Sequence, residues 1–360
     1  MTRRRSRLRP SEGRDDRRPA WLAASLARSL VRAAALALAL ALALWPGVLP
    51  GPAVAAPTAA ACVAPARPGG GFDLTCRLLA EALDGAPQET RLFAAPVARD
   101  FLPGGVGAVA FNEVVNRRRA ENGTLVAFSE GSIDALARGG FGDHGLGDVR
   151  WLAALGLDHG AMVVRDDAPW SDLRGFLAAL AAAPHRVAIG GGGTLGGRDW
   201  LRAAMTAKAA GLGAGEIRFV GFDGGGSCSE GLIGGFVQAC VNDVADSQAL
   251  IDAGRPLRLL AVYAPARLGG ELAGVPTARE QGVALDWPVM RGVYMGPDVS
   301  DADFDWWRQR MDALLATPGY ARLLERYHLS PLPLTGPALV AELERMVTLA
   351  RARGPDTGLP

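Results

Sequence analysis

Two glycine-rich loops are the parts of this sequence best suited to hold a ligand. The first, "RPGGGFDLTC", places Gly69, Gly70 and Gly71 directly before a helical pattern, and Asp73 stands in the first turn of that helix. Because these glycines lack side chains, an anion can approach the free N–H groups of the helix N-terminus, where the helix dipole favours negative charge. The loop therefore predicts an anion site. Asp73 has two interpretations, a contact for a ligand hydroxyl group or a cap for its own helix.

The second loop, "RVAIGGGGTLGGRDWLRAAM", has the same character. Gly191, Gly193 and Gly196 have the spacing of the dinucleotide-binding fingerprint, and Asp223 ends the next predicted strand, where an acid would bind a ribose. This pattern supports one alternative, an exported NAD-dependent oxidoreductase. The loop suits any small anion, however, and free dinucleotide is scarce outside the cytoplasm.

No other residues form a catalytic or metal-binding pattern in the sequence. The four histidines, at positions 144, 159, 185 and 328, are isolated, and no G-x-S-x-G motif accompanies them. No group of histidines and cysteines has the spacing of a zinc site. We therefore expect no catalytic residues, no metal and no cofactor.

The elements that would position these loops alternate between strand and helix. Short apolar runs have the length of buried parallel strands, and helical patterns separate several of them. After the leader, about 300 residues remain, which is more than one hydrophobic core usually supports. The pattern predicts an α/β protein with two domains, each with a glycine-rich turn. The predicted strands are 62–66, 90–95, 124–129, 161–164, 186–190, 217–222, 236–241 and 257–263.

The first 56 residues have the composition of a secretory leader. Ten arginines precede the apolar run 33–45, and the small residues of "GPAVAAPTAAA" follow it. The apolar run is short for a bilayer, which needs about 20 residues. We expect cleavage between Ala55 and Ala56 and a periplasmic location.

The charge of the exported chain argues against nucleic acid as a partner. Removing ten arginines and three acids from 38 basic and 37 acidic residues leaves a net charge of −6. An acidic protein without a basic stripe lacks the electrostatic footprint of DNA or RNA binding.

Four cysteines, Cys62, Cys76, Cys228 and Cys240, remain after cleavage. Export favours disulfides over free thiols or metal ligation. Of the three possible pairings, proximity in sequence favours Cys62 with Cys76 and Cys228 with Cys240. Four buried thiols remain the alternative.

Several segments occur in a characteristic order along the chain. They include "CVAPARPGGGFDLTCRLLAEAL", "LPGGVGAVAFNEVV", "GTLVAFSEGS", "VAIGGGGTLGGRDWLRAAMTAKAAG", "FVGFDGGGSCSEGLIGGFVQA" and "RGVYMGPDVSDADFDWW". Together they resemble the Bug-type substrate-binding proteins of tripartite tricarboxylate transporters, and the resemblance covers about residues 62–347, nearly all of the exported chain. Within the family, "GGGFDLTC" and "RGVYMGP" look most like the branch associated with tricarboxylates such as citrate.

The resemblance implies a periplasmic binding protein of type II-like fold, with two Rossmann-like lobes and a ligand cleft between them. The implied segments are a leader, 1–56, the first part of lobe 1, 57–157, lobe 2, 158–262, and a return to lobe 1 with C-terminal helices, 263–360. It further implies a monomer that binds a small di- or tricarboxylate and delivers it to integral membrane permease subunits.

The resemblance also implies a set of ligand-binding residues, mainly backbone amides of three loops. They are Gly69, Gly70, Gly71, Phe72 and Asp73 in the first loop, Ser129, Gly131 and Ser132 in the second, and Gly192, Gly193 and Thr194 in the third.

A citrate-like anion needs countercharge. Arg198 and Arg291 are the candidates, because a guanidinium group can bind a carboxylate through two parallel hydrogen bonds. In a chain with 38 basic residues, either arginine could instead be structural. Glu130 departs from the family pattern and would repel a carboxylate if it faced the cleft. Glu130 therefore leaves open a third possible function besides the binding protein and the oxidoreductase, a structural or adaptor protein that has lost its ligand.

Overall fold

The computed structural model describes residues 57–85, 92–93 and 95–352, all within one compact unit. The predicted leader and its cleavage site lie outside the described residues. The predicted strand 90–95 is wrong where it can be compared, because residues 92, 93 and 95 are not in a strand. The strand at this point in the chain order is Ala98–Phe101.

The described residues contain strands and helices in alternation. The strands are β1 (Ala61–Ala64), β2 (Ala98–Phe101), β3 (Thr124–Ser129), β4 (Arg150–Arg165), β5 (Ala188–Gly192), β6 (Arg218–Phe222), β7 (Ala239–Asp243), β8 (Leu257–Val262) and β9 (Pro288–Met295). The helices are α1 (Gly71–Asp84), α2 (Ala108–Asn116), α3 (Glu130–Ala137), α4 (Leu173–Ala182), α5 (Arg198–Lys208), α6 (Gly225–Ile233), α7 (Val244–Asp252), α8 (Asp301–Leu315), α9 (Pro318–Arg326) and α10 (Gly336–Ala352).

The strands form two sheets that share β4. The first sheet has the order β2-β1-β3-β9-β4, and the second has the order β6-β5-β7-β4-β8. Strand β4 pairs with β9 from Arg150 to His159 and with β7 and β8 from Gly160 to Arg165. The strands β1 to β3 are parallel, and so are β5 to β7, whereas β9 and β4 run antiparallel to their neighbours.

Helices cover both faces of each sheet. The first sheet packs against α1, α8 and α9 on one face and against α2, α3 and α10 on the other. The second sheet packs against α4 and α5 on one face and mainly against α6 and α7 on the other. Strands buried on both faces are continuous apolar runs, and "TLVAFS" in β3 is an example. The predicted α/β fold with two Rossmann-like lobes is confirmed.

The lobe boundaries remain a proposal, and the structure suggests one adjustment. The predicted boundary after residue 157 lies close to His159 and Gly160, where β4 passes between the sheets. Residues between Tyr263 and Trp287 still pack in the cores of the second sheet. We therefore propose that the return to lobe 1 begins near Pro288, at the start of β9, rather than at 263.

Both disulfides join a strand to a helix within a lobe. Cys62 in β1 is bonded to Cys76 in α1, with 5.4 Å between their Cα atoms. Cys228 in α6 is bonded to Cys240 in β7, with 6.3 Å between their Cα atoms. These are the pairings that sequence proximity favours. None of the described helices combines the length and apolar character that crossing a membrane requires.

Candidate functional site

A cleft of about 710 Å³ lies between the two lobes. This volume is within the range of small-molecule sites, roughly 300–1,000 Å³. Residues at the N-termini of four helices, α1, α3, α5 and α6, line it. The first N–H groups of a helix have no partner within the helix, so the cleft is surrounded by backbone donors and by the positive ends of helix dipoles.

The two lobes touch at one side of this cleft, where Gly70 meets Gly226. A Cβ atom added to Gly70 would lie 3.2 Å from the amide nitrogen of Gly226. A Cβ atom added to Gly226 would lie 2.9 Å from the carbonyl carbon of Gly69. The first loop and the start of α6 can come this close because neither carries a side chain.

Polar contacts bridge the lobes elsewhere along the cleft. Arg138 of the first lobe donates a hydrogen bond of 3.1 Å to the carbonyl oxygen of Gly196 in the second. Arg67 lies 3.6 Å from Asp223 across the cleft. The structure therefore shows the lobes in contact at more than one point along the cleft.

Most of the predicted ligand-binding residues meet at the cleft. Gly69, Asp73 and Ser132 do not line it. Those that do are Gly70, Gly71, Phe72, Ser129, Gly131, Gly192, Gly193, Thr194, Arg198 and Arg291.

The side chain of Asp73 binds the loop that precedes α1 and an arginine of β2, and it does not cap a free amide of its helix. Its Oδ2 accepts a hydrogen bond of 3.0 Å from the amide of Gly69, and its Oδ1 accepts one of 3.0 Å from Arg99. Ser132 acts within its own helix, since its Oγ accepts a hydrogen bond of 3.3 Å from the amide of Ser129. Both side chains shape the loops that face the cleft without lining it.

Two backbone amides of the third loop already donate hydrogen bonds to acceptors within the protein. Gly192 donates to Oδ2 of Asp199 at 2.7 Å, and Gly193 donates to the carbonyl oxygen of Phe222 at 2.8 Å. A dinucleotide fingerprint uses such amides for the pyrophosphate. Their internal partners therefore weigh against the NAD alternative, as does the proximity of Asp223 to Arg67.

Arg291 lines the cleft but is bound to two protein carboxylates. Its side chain is 1% exposed, and its Nε and Nη2 donate to Asp158 at 3.0 and 2.5 Å. Nη2 also lies 3.1 Å from Oδ2 of Asp243. Nearby Asp158 and Asp243 raise the pKa of Arg291 despite its burial, so this guanidinium group is always charged. Its charge is compensated without a ligand.

A second buried arginine, Arg202, binds two of the aspartates that line the cleft. It donates to Asp199 at 2.9 Å, to Asp243 at 3.1 Å and to the carbonyl oxygen of Val241 at 2.8 Å. Gly160 makes room for it, because an added Cβ there would lie 2.2 Å from Nη1. Asp246 lies in the same group. We call these six residues the floor cluster: Asp158, Asp199, Asp243, Asp246, Arg202 and Arg291.

The predicted carboxylate-binding residue Arg198 is also paired. Its Nη1 lies 2.9 Å from Oε1 of Glu130, and its guanidinium group lies 4.4 Å from the ring centroid of Trp287. This ion pair joins the two lobes, and it compensates the charge of Glu130 that would otherwise repel an anion.

The chain resembles known proteins in sequence and in fold. Residues 145–336 match the family model described as Tripartite tricarboxylate transporter family receptor. No protein with curated annotation shows significant sequence similarity to the chain.

Solved structures of periplasmic binding proteins share the whole two-lobed fold. The periplasmic binding protein BugD is 16% identical, with a TM-score of 0.71 over 83% of this chain and 97% of that chain. Rpa4515 from R. palustris, solved with adipate, is 19% identical, with a TM-score of 0.72 over 83% and 97%. MatC from Rhodopseudomonas palustris, solved with bound malate, is 18% identical, with a TM-score of 0.66 over 83% and 98%. At these identities the likeness shows the fold alone.

Proposed function

Because this chain belongs to the receptor family of tripartite tricarboxylate transporters, we propose that it captures a small organic carboxylate in the periplasm and presents it to membrane permease subunits. The permease, the leader that directs export and the monomeric state are parts of this proposal.

One observation carries the carboxylate assignment: helix N-termini, rather than available arginines, surround the cleft. The four arginines that line it, Arg67, Arg138, Arg198 and Arg291, each have a carboxylate partner within 3.6 Å. A ligand carboxylate would therefore bind to backbone amides, above all those at the start of α1. A helix N-terminus stabilises a negative charge by about 0.3–1 kcal/mol, and the N-termini of four helices line this cleft.

The charge of the cleft favours a ligand with few negative charges. Five aspartates line it against the four arginines, namely Asp134, Asp199, Asp223, Asp243 and Asp246, and burial raises the pKa of Asp246 to about 8, so the charges nearly balance at neutral pH. Because each of these arginines is already paired with a carboxylate, a citrate-like trianion would find no spare positive charge, whereas a mono- or dicarboxylate needs less countercharge. Of the predicted di- and tricarboxylates, we propose the dicarboxylates. The adipate and malate bound to two relatives support this choice.

Binding would stabilise the arrangement in which the lobes touch. Contacts from both lobes to one ligand exist only when the cleft is closed, so the ligand shifts the population towards closure. The contacts between Gly70 and Gly226 belong to that closed arrangement.

The test measures melting temperature and heat of binding for protein purified from the periplasm. We expect succinate, malate or adipate to raise the melting temperature by a few degrees, since a ligand at 100 times its Kd adds about 2.7 kcal/mol. Stabilisation by NAD but not by carboxylates would overturn the proposal in favour of the oxidoreductase. N-terminal sequencing of the same sample checks the cleavage site.

A further inference from the structure

The guanidinium group of Arg198 is fixed at the wall of the cleft by two contacts besides its ion pair with Glu130. Its Nη2 donates a hydrogen bond of 2.7 Å to the carbonyl oxygen of Pro288. Its guanidinium carbon lies 4.4 Å from the ring centroid of Trp287, which also lines the cleft. The side chain of Arg198 is 8% exposed. Because two of these contacts do not involve Glu130, we expect the positive charge to stay at this wall when the carboxylate is removed.

Glu130 reaches the same point from the other lobe. It is the first residue of α3, and its neighbours Ser129 and Gly131 both line the cleft. Its Oε1 lies 2.9 Å from Nη1 of Arg198, and its side chain is 16% exposed. Glu130 itself is not among the described residues that line the cleft. It therefore compensates the charge of a cleft residue without filling the space that a solute would occupy.

The other three arginines of the cleft are compensated in different ways. Arg291 has two carboxylate partners, so the removal of one leaves the other. The side chain of Arg67 is 71% exposed, and solvent screens its charge. Arg138 is paired with Asp134, which is one turn earlier in the chain and lines the cleft itself. Arg198 is therefore the arginine at which one substitution outside the cleft lining would add a shielded positive charge to the cleft.

We propose that Glu130 is a specificity-determining residue that limits the number of carboxylates on the solute. A third carboxylate near Arg198 would have to compete for a guanidinium group that is already bound, and it would meet the negative charge of Glu130. A dicarboxylate avoids both costs. Specificity of this kind comes from repulsion of the wrong ligand as well as attraction for the right one. The inference rests on the proposed function, because it names the residue that selects among carboxylates.

The test compares solutes that differ by one carboxymethyl group. Succinate and tricarballylate form one pair, and malate and citrate form the other. Calorimetry on the periplasmic protein measures the affinity for each solute at neutral pH, at low and at high ionic strength, with competition titrations for the weaker ligands. The quantity compared is the ratio of the tricarboxylate affinity to the dicarboxylate affinity within each pair.

The variants separate the charge of Glu130 from other effects. Glu130→Gln removes the charge and keeps the size of the side chain, and Glu130→Ser does the same with a small residue. A double variant combines Glu130→Gln with Arg198→Gln. The matched control is Glu113→Gln, because Glu113 is an acid of α2 in the same lobe that is paired with Arg117 and does not line the cleft. Melting curves show which variants retain the fold.

We expect Glu130→Gln and Glu130→Ser to raise the affinity ratio at least about tenfold in one or both pairs. The rise should be smaller at high ionic strength, because salt screens the interaction between charges. The double variant should return the ratio to within about twofold of the value for the parent protein, since the gain depends on the charge of Arg198. Glu113→Gln should leave the ratio unchanged.

Four results would overturn the inference. An unchanged ratio in a folded Glu130 variant refutes the role of Glu130 and leaves the proposed function standing, and so does tighter binding of both tricarboxylates by the parent protein. The same rise in Glu113→Gln or in the double variant shows that the effect does not depend on Arg198. The absence of binding by all four solutes, in the parent protein and in every variant, refutes the inference. If adipate also fails to bind, the proposed function is refuted with it.

Discussion

The guanidinium group of Arg291 occupies the space into which a side chain at Gly71 would project. A Cβ atom built on Gly71 would lie 2.1 Å from Nη1 and 2.8 Å from Cζ of Arg291. The first residue of α1 is therefore a glycine for a reason separate from ligand approach. It lets a buried arginine from β9 reach Asp158 and Asp243 at the junction of the lobes.

Gly71→Ala should destabilise the protein by displacing Arg291 from its partners. Breaking a buried ion pair costs about 3–5 kcal/mol, because one charge is left without compensation. Thermal unfolding would show this as a melting temperature lower by several degrees. Gly269→Ala is the matched control, since Gly269 is exposed and an added Cβ there has nothing within 4 Å. Equal melting temperatures for the two variants would refute the role assigned to Gly71.

Gly226→Ala should weaken ligand binding and leave the stability of the unliganded protein largely unchanged. The added methyl group would lie 2.9 Å from the carbonyl carbon of Gly69 and 3.0 Å from the amide nitrogen of Gly70. These are backbone atoms of the opposite lobe, so the lobes must separate to accommodate it. Within α6, alanine is the better helix former by about 0.8–1 kcal/mol.

Calorimetry should give an affinity for the best carboxylate that is at least about tenfold lower in Gly226→Ala than in the parent protein. Small-angle scattering with saturating ligand should then show a larger radius of gyration for the variant. An unchanged affinity would mean that the contact between the two glycine loops plays no part in binding.

Asp246→Asn should stabilise the protein, and by more at alkaline than at acidic pH. Burial, followed by the charge of Asp243, raises the pKa of Asp246 to about 8. The other charged groups that act on it are Asp158, which raises the pKa, and Arg291 and Arg202, which lower it.

The direction of this pH dependence follows from the number of protons that Asp246 binds in the folded and the unfolded states. An unfolded aspartate titrates near pH 3.9, so between about pH 4 and pH 8 the folded protein binds more protons at Asp246 than the unfolded chain does. In the parent protein, the contribution of Asp246 to the free energy of unfolding therefore falls as pH rises through this window. Asparagine does not titrate, so this loss of stability is absent from the variant. Melting curves at about pH 5 and about pH 8 should show that Asp246→Asn melts at a higher temperature than the parent protein, and that this difference is larger at the higher pH. A constant difference, or the same difference in Asp252→Asn, a matched control on the same helix, would contradict this explanation.

The sequence predicts local features of this fold well. The run 124–129 matches β3, and both disulfides join neighbouring elements, so proximity along the chain identified them. The glycine loops were found because the absence of side chains before a helix is visible in the sequence. Strand β2 was missed because its residues, "ARDF", are largely exposed and have no apolar run.

The floor cluster could not be predicted in this way. Asp158, Asp199, Asp243 and Asp246 come from β4, α5, β7 and α7, and no fixed spacing connects them. Arg291 was recognised as close to the cleft, but its partners are 133 and 48 residues away in the chain. Whether such an arginine binds solute or protein depends on the carboxylates that folding brings beside it.

The continuity of β4 has a mechanical consequence. Because one strand is hydrogen-bonded in both sheets, a rotation of one lobe against the other would be centred on the backbone near His159 and Gly160. The amide of His159 donates to Asp158 at 2.7 Å, which places the ionic network at the pivot. Near a pivot, displacements are smallest, whereas the rim of the cleft travels furthest. In such a rotation the ion pairs at the pivot would persist while the rim of the cleft opens, so that an arriving solute would meet a preformed floor before the loops at the rim enclose it.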